Sequence, residues 1–287
     1  GVQRAPETLC LRSMEPPVTS VESLASRYAE VRQRIDAAAR VSGRSGTDIL
    51  LVAVSKYAGM DEVRELVSLG HTDFGENQVQ QMQQRAAMIT EWQQRQRGMS
   101  QLKPAGPSTN ASGDRTVRWH MIGHLQRNKA RKVVELCRLV HSVDSLRLAE
   151  EIQLIAARRE KPVEVLLQVN TSGEPSKFGC AIGAAIHLAE QIETMVQVRV
   201  RGLMTMAPHS PKPEAARATF ARCRELFLEI RDSGLVNPQF NILSMGMSGD
   251  FEVAIDEGSN LVRVGSALFG EPEPEMLDDD DTDGATD

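Results

Sequence analysis

Apolar residues along this chain recur with two different periods, and the changes of period divide it into elements. Leu24, Tyr28, Val31 and Ile35 follow one another at spacings of four and three, which is one apolar face of a helix, and the pattern runs out by Gly43. Thr19 with Glu22, three residues on, fits a capping box and predicts where that helix begins. Short aliphatic runs then appear at 49–54, 73–74, 117–122, 139–143, 163–169, 198–203, 242–243 and 261–264, each the length of a buried strand. Helical patterns fill the gaps between them at 61–69, 127–137, 145–160, 181–195, 213–232 and 250–257.

Strands that alternate with helices make a parallel sheet, because a parallel crossover needs a helix to return the chain. Eight such units within roughly 225 residues fit a single α/β barrel of the (β/α)8 TIM type better than a doubly wound sheet. No G-x-G-x-x-G or G-x-x-x-x-G-K-[ST] run supports a dinucleotide or P-loop fold. The expected organisation is a flexible extension at 1–18, a barrel with an extra N-terminal helix at 19–270, and an acidic tail at 271–287. Within the barrel, residues 91–115 read as a Gln-rich helix end followed by a flexible insertion.

The formal charge of −6 comes from the tail, whose 17 residues hold nine carboxylates and no lysine or arginine. The remainder carries 33 basic against 30 acidic side chains and no basic stripe, so nucleic acid is not an expected partner. Cys10, Cys137, Cys180 and Cys223 lie far apart with no C-x-x-C pair, which favours neither a zinc site nor a disulfide framework and points to a reducing, cytoplasmic setting. No apolar stretch reaches the ~20 residues of a bilayer span, so no membrane partner is expected. The segment before Met14 has Arg4 and Arg12 but also Glu7 and no long apolar core, which makes a poor signal peptide and a weak organelle-targeting sequence.

In a parallel barrel the side chains at the carboxyl ends of the strands converge on one mouth. Read this way, the strands deliver Lys56, Glu76 with Asn77, His120, Ser142 with Asp144, Asn170, Met204, Ser244, and Arg263 with Gly265 and Ser266. Gly265 and Ser266 stand between the last strand and a short apolar turn, where backbone N–H groups can hold an anion. The loop from Ser244 to Gly249 takes the seventh position, and barrels frequently hold phosphate with the loops after strands seven and eight. Ser248 alternatively caps the helix that starts near Asp250, a role compatible with the first. Desolvation lowers the pKa of an ammonium, so Lys56 at the inner mouth of an apolar pocket suits Schiff-base chemistry with a carbonyl compound. Its plainer reading is a solvated loop charge. A carbonyl compound bearing a phosphate would use both features, and pyridoxal phosphate is the leading candidate.

The blocks LVAVSK (51–56), HTDFGENQVQ (71–80), WHMIGHLQRNK (119–129), SVDS (142–145), LQVNTSGEPSKFG (167–179), RGLMTM (201–206), SMGMSGDFEVAI (244–255) and VRVGSALFG (262–270) together resemble the pyridoxal phosphate homeostasis protein family. They run from residue 51 to 270, about three quarters of the chain. The resemblance implies a barrel like the N-terminal domain of alanine racemase, with pyridoxal 5'-phosphate joined to Lys56 as an internal aldimine. It implies phosphate contacts from the Ser244–Ser248 loop and from Gly265 and Ser266, Arg263 beside the pyridine nitrogen, and Asn77 near the ring. A guanidinium there disfavours a protonated ring nitrogen and weakens the cofactor as an electron sink. Arg263 has an alternative reading as an ion-pair partner of a helix carboxylate such as Asp256.

Racemisation needs a second acid/base group on the opposite face of the ring, which alanine racemases take from a tyrosine on a separate β domain. Only Tyr28 and Tyr57 occur in this chain; Tyr28 belongs to the packing helix and Tyr57 neighbours Lys56. The expected function is therefore a monomeric cofactor carrier or reservoir that serves apo pyridoxal phosphate enzymes in vitamin B6 homeostasis, not an enzyme. A weak amino-acid racemase is the alternative, and a cofactor-independent Schiff-base aldolase is a third reading. No metal is expected: His120 and His124 are four apart but in a strand-to-loop stretch without H-E-x-x-H. Cys137 and Cys223 are expected as small buried residues inside helices.

Overall fold

The computed structural model describes residues 22–101, 116–174 and 177–271. The chain enters through α1 (Leu24–Val41), whose N-cap is Ser23: its hydroxyl accepts the Ser26 N–H at 3.2 Å. This corrects the expected Thr19/Glu22 cap. Thr19 lies outside the described residues, and Glu22 accepts the Ser26 hydroxyl at 3.1 Å.

Then β1 (Leu50–Val54), α2 (Met60–Ser68), β2 (Asp73–Glu76), α3 (Val79–Gln101) and β3 (Arg118–Met121) follow, and the expected insertion beyond Gln101 lies outside the described residues up to 115. The chain continues with α4 (Ala130–Leu136), β4 (Cys137–Val143), α5 (Leu146–Arg159), β5 (Val163–Asn170), the two-residue β6 (Cys180–Ala181) and α6 (Ile182–Glu193). It ends with β7 (Val198–Met204), α7 (Arg217–Asp232), β8 (Ile242–Ser244), α8 (Phe251–Asp256), β9 (Leu261–Val264) and α9 (Ser266–Phe269). The helix expected at 127–137 is a 3-10 turn followed by α4, and Cys137 opens β4 because the helix passes into the strand with no intervening loop.

Every strand pairing is parallel, in the order β1–β2–β3–β4–β5–β7–β8–β9, and β9 returns to β1 with Val52 opposite Arg263. The eight-stranded closure makes this the expected (β/α)8 barrel, with β6 added beside β5. At the β7–β8 seam a Cβ on Gly202 would lie 1.7 Å from the Ile242 carbonyl oxygen, and its φ is +152°, so only glycine lets these strands approach.

Alternate residues along a strand face opposite sides. Leu51, Ala53, Phe74, Val165, Leu167, Val262 and Val264 join the surrounding helices in one large core. Their neighbours Val52, Leu139, Leu166, Met204 and Leu261 form a separate apolar cluster inside the barrel. Each such buried aliphatic side chain contributes about 1.5–3 kcal/mol by leaving water. The interior is only half apolar, however, because Asp73, His120, His141, Gln168, Ser244 and Arg263 are buried too.

The last two helices have six and four residues, too short to cover their strands, and α1 supplies the cover by packing on α8 and α9. Arg27 Nε donates to the Leu268 carbonyl at 2.6 Å, Arg34 pairs with Glu252 at 2.6 Å, and Arg44 donates to the Ile255 and Ser259 carbonyls. This fixes the strand ends that carry the candidate anion loops. Among the described residues no helix is long and apolar enough to cross a membrane.

His71 is buried below α1, with Nε2 2.8 Å from the Asp73 carbonyl oxygen and Nδ1 3.4 Å from the Tyr28 hydroxyl. Burial lowers its pKa to about 4, against opposing effects of Asp73. A histidine whose folded pKa lies below its unfolded value protonates first in the unfolded chain, so the stability it contributes at neutral pH is lost as pH falls from about 6.5 toward 4. Urea unfolding should therefore show a share of about 2–3 kcal/mol lost between pH 7 and 4.5 that His71→Phe removes. An equal decline in the variant would contradict this.

Candidate functional site

The inward-facing series Val52–Val54–Lys56 on β1 and Leu261–Arg263–Gly265 on β9 both continue past their strands into the barrel mouth. There Val54, Lys56, Arg263 and Gly265 line a cavity of about 580 Å³ with Asn77, Gln168, Ser248 and Ser266. This volume is in the usual range for small-molecule sites, roughly 300–1,000 Å³. Its walls are largely apolar, including Ile122, Met206 and Met247. At the rim, the rings of His124 and Phe178 stack with centroids 4.6 Å apart.

Lys56 is half-buried, with Nζ 4.3 Å from the centroid of the Tyr57 ring, which also lines the cavity. Behind it, on the outer side of the barrel, Glu76 is fully buried and accepts the Ser55 hydroxyl at 2.5 Å and Arg85 Nε at 3.0 Å. Burial pushes the Glu76 carboxyl up in pKa, and the charges of Arg85 and Lys56 oppose that rise. Tyr28 is elsewhere, against His71.

Arg263 is 3% exposed. It donates from Nη1 to Ser244 Oγ at 2.5 Å and from Nη2 to the Thr205 carbonyl at 2.9 Å. Burial lowers its pKa to about 10, still well above neutrality, with Asp250 acting in the other direction. The alternative ion pair with Asp256 does not form, since Asp256 binds Arg217 at 2.7 Å. Ser244 is fully buried and does not line the cavity; it lies beneath Arg263 and meets His141 Nδ1 at 3.1 Å.

Ser248 joins the two loops singled out from the sequence. Its hydroxyl oxygen accepts the N–H groups of Gly265 at 3.1 Å and Ala267 at 3.2 Å. It does not cap α8; Asp250 is the N-cap, and its carboxylate accepts the Met247 N–H at 2.6 Å. The Gly265 and Ala267 N–H groups thus converge on an oxygen, the arrangement that also suits an oxyanion.

Lys56, Asn77, Ser248, Arg263, Gly265 and Ser266 therefore share one cavity, while Ser244 supports it from below. Gln168 escaped the sequence reading. It lines the cavity and its Oε1 is buried without a hydrogen-bond partner among the described residues. Its signal was one polar residue in the apolar run VLLQV, a position that strand alternation places inside the barrel with Leu166. His120 and His124 diverge, one into the barrel interior and one to the rim, and the described residues contain no cluster able to hold a metal.

Residues 26–273 match the family model described as alanine racemase, N-terminal domain. The chain is 37% identical over 250 residues to the pyridoxal phosphate homeostasis protein of Pseudomonas aeruginosa, covering 87% of this chain and 96% of that protein. It is 34% identical over 250 residues to the protein of that name in Escherichia coli, covering 87% and 97%. Among solved structures, PipY of Synechococcus elongatus with pyridoxal phosphate bound superposes with a TM-score of 0.69 at 31% identity, over 86% of this chain and 100% of that one.

The mouth depends on close approach between the ends of β2 and β3. A Cβ on Gly123 would lie 2.2 Å from the Asn77 carbonyl oxygen, and backbone cannot yield as a side-chain tip can. Gly123→Ala should destabilise the protein by about 1–3 kcal/mol in urea unfolding, as overpacking does. An unchanged midpoint would show that the two loops are not fixed against each other.

Proposed function

Because the chain belongs to the pyridoxal phosphate homeostasis protein family, built on the alanine racemase N-terminal domain, we propose that its cavity binds pyridoxal 5'-phosphate covalently through Lys56. On this reading the protein holds the cofactor in reserve in the cytoplasm for apo pyridoxal phosphate enzymes. The observation that carries the proposal is the joining, in one cavity, of the Lys56 amine with Ser248, Ser266 and the buried charge of Arg263. The PLP-bound PipY structure and the family's naming support it.

The residues present fit the group. When bound, pyridoxal phosphate supplies an aldehyde that can be captured by an amine and a phosphate dianion that needs donors. Lys56 provides the amine at the end of β1. Ser248 and Ser266 provide hydroxyl donors for the dianion, and the Gly265 N–H, held by Ser248 Oγ, would join them only by leaving that oxygen. Arg263 carries a buried positive charge with no ion pair among the described residues, so an anionic ligand in the cavity would answer it. Asn77 would stand near the ring, and Gln168 offers an acceptor without a partner among the described residues.

Arg263 also argues for holding over turnover. It stays charged at neutral pH and disfavours a proton on a ring nitrogen beside it, which weakens the electron withdrawal that amino-acid chemistry needs. The relatives are named homeostasis proteins and not enzymes. A weak racemase is the second reading, and what favours it is that Tyr57 and His209 line the cavity as groups able to exchange a proton.

Addition of pyridoxal phosphate to the wild-type protein should produce a visible absorbance band that survives gel filtration, and Lys56→Ala should lose it. A band of equal strength in Lys56→Ala would overturn the assignment of Lys56. Exchange of the alanine α-proton with solvent, dependent on Lys56 and fast enough to count as turnover, would replace the carrier reading with the racemase.

A further inference from the structure

Beneath the cavity, inside the barrel, polar side chains from five strands touch in series. Arg263 Nη1 is 2.5 Å from Ser244 Oγ, Ser244 Oγ is 3.1 Å from His141 Nδ1, His141 Nε2 is 3.0 Å from His120 Nδ1, and His120 Nε2 is 3.1 Å from Asp73 Oδ1. All five residues are buried. The series begins at the cavity on β9 and ends at the first residue of β2, near the opposite end of the barrel. There Arg118, whose side chain is half-exposed, grips Asp73 with Nε at 2.9 Å and Nη2 at 2.6 Å.

With one proton on each imidazole ring, the far end sets the direction. An ionised carboxylate can only accept, so His120 carries its proton on Nε2, facing Asp73, and its Nδ1 accepts the Nε2–H of His141. That leaves His141 Nδ1 as an acceptor for the Ser244 hydrogen, while Ser244 Oγ accepts from Arg263, whose guanidinium can only donate. Burial alone would push the Asp73 carboxyl up, but hydrogen bonds from His120 and Arg118 hold it well below the usual carboxylate range. Burial, with His120 and Arg263 nearby, keeps the His141 pKa well below that of an ordinary histidine, in agreement with one proton on its ring.

We propose that Asp73, His120 and His141 are positioning residues for the cavity: a one-way chain of four hydrogen bonds, anchored on Asp73, fixes the hydroxyl direction of Ser244 and through it the orientation of Arg263. Without an acceptor at His120, the proton of His141 has no partner on Nε2 and moves toward Nδ1, where it competes with the Ser244 hydrogen. Ser244 must then turn its own hydrogen away from His141, and its oxygen is shared between the ring and the guanidinium, which loosens one of the two fixed acceptors of Arg263. The effect on a ligand rests on the cofactor reading given above; the proton order does not.

Nitrogen-15 NMR of the histidine rings in the unliganded protein tests the order directly, and cofactor release and absorbance test its consequence. Wild type should show both His120 and His141 protonated at Nε2. His120→Phe should shift His141 toward the Nδ1-protonated form, move the absorbance of added pyridoxal phosphate, and speed its release roughly tenfold, the scale on which outer supporting partners act. His120→Asn, whose amide oxygen can take the place of Nδ1 as acceptor, should restore the His141 form and most of the slow release, which a role in packing alone would not predict. It also keeps the test open if the phenylalanine variant fails to fold. An Nδ1 proton on His141 in wild type, or unchanged release and absorbance in a folded His120→Phe protein whose His141 has shifted, would overturn the proposal. If wild type takes up no pyridoxal phosphate but shows the assigned ring protons, the cofactor reading fails and the proton order stands.

Discussion

A guanidinium buried inside a closed barrel is the constraint around which this molecule is arranged. Arg263 is nearly inaccessible and makes no ion pair among the described residues, so its charge is met by the Ser244 hydroxyl, the Thr205 carbonyl and whatever enters the cavity above it. Removing a buried polar group's partner costs about 1–3 kcal/mol, and more for a charge. The interior therefore continues downward as hydrogen bonds, through Ser244, His141 and His120 to Asp73, beside the apolar column of Val52, Leu139, Leu166, Met204 and Leu261. Close packing makes a change at one of these side chains felt by its neighbours.

The same barrel geometry places reactive and recognising groups together without long loops. Lys56 continues the inward series of β1, Gly265 continues that of β9, and these two strands are hydrogen-bonded neighbours. Ser248 fastens the loop after β8 to the one after β9 by accepting two N–H groups, so the two loops are fixed against each other before any ligand arrives. α1 supports this half of the barrel from outside, where α8 and α9 are too short to do so. A preformed cavity with an amine, donors for an anion and a fixed positive charge suits the retention of a reactive phosphorylated aldehyde. In that setting the always-charged Arg263, beside the ring as proposed, would limit how far the ring can act as an electron sink.

Much of this was legible in the sequence because parallel barrel strands are buried on both faces and read as short aliphatic runs. All eight runs are barrel strands, and of the residues expected at their ends Lys56, Asn77, Arg263, Gly265 and Ser266 line the cavity, while Glu76, His120, Ser142, Asp144, Asn170, Met204 and Ser244 do not. The same double burial hid the rest. In a run such as VLLQV the aliphatic residues do not separate the face toward the helices from the face toward the interior, and the single polar residue, Gln168, was the one sign of the interior face. His120 and His141 are 21 residues apart, and His141 and Ser244 are 103 apart, so no local spacing brings them together; only closure of the sheet does. Ser248 looked like a helix cap because its true partners, Gly265 and Ala267, lie 17 and 19 residues ahead. The α1 cap was misplaced because Thr19 and Glu22 satisfy the capping-box spacing, yet Ser23 is the residue next to the first helical turn.

The central claim is that Lys56 is the covalent anchor of this cavity. Borohydride reduction of the protein loaded with pyridoxal phosphate, followed by digestion and mass analysis of the peptides, tests it most directly. The account predicts one phosphopyridoxyl group per chain, on the peptide that contains Lys56. Reduction that leaves that peptide unmodified, or that labels lysines outside the cavity equally, would contradict it.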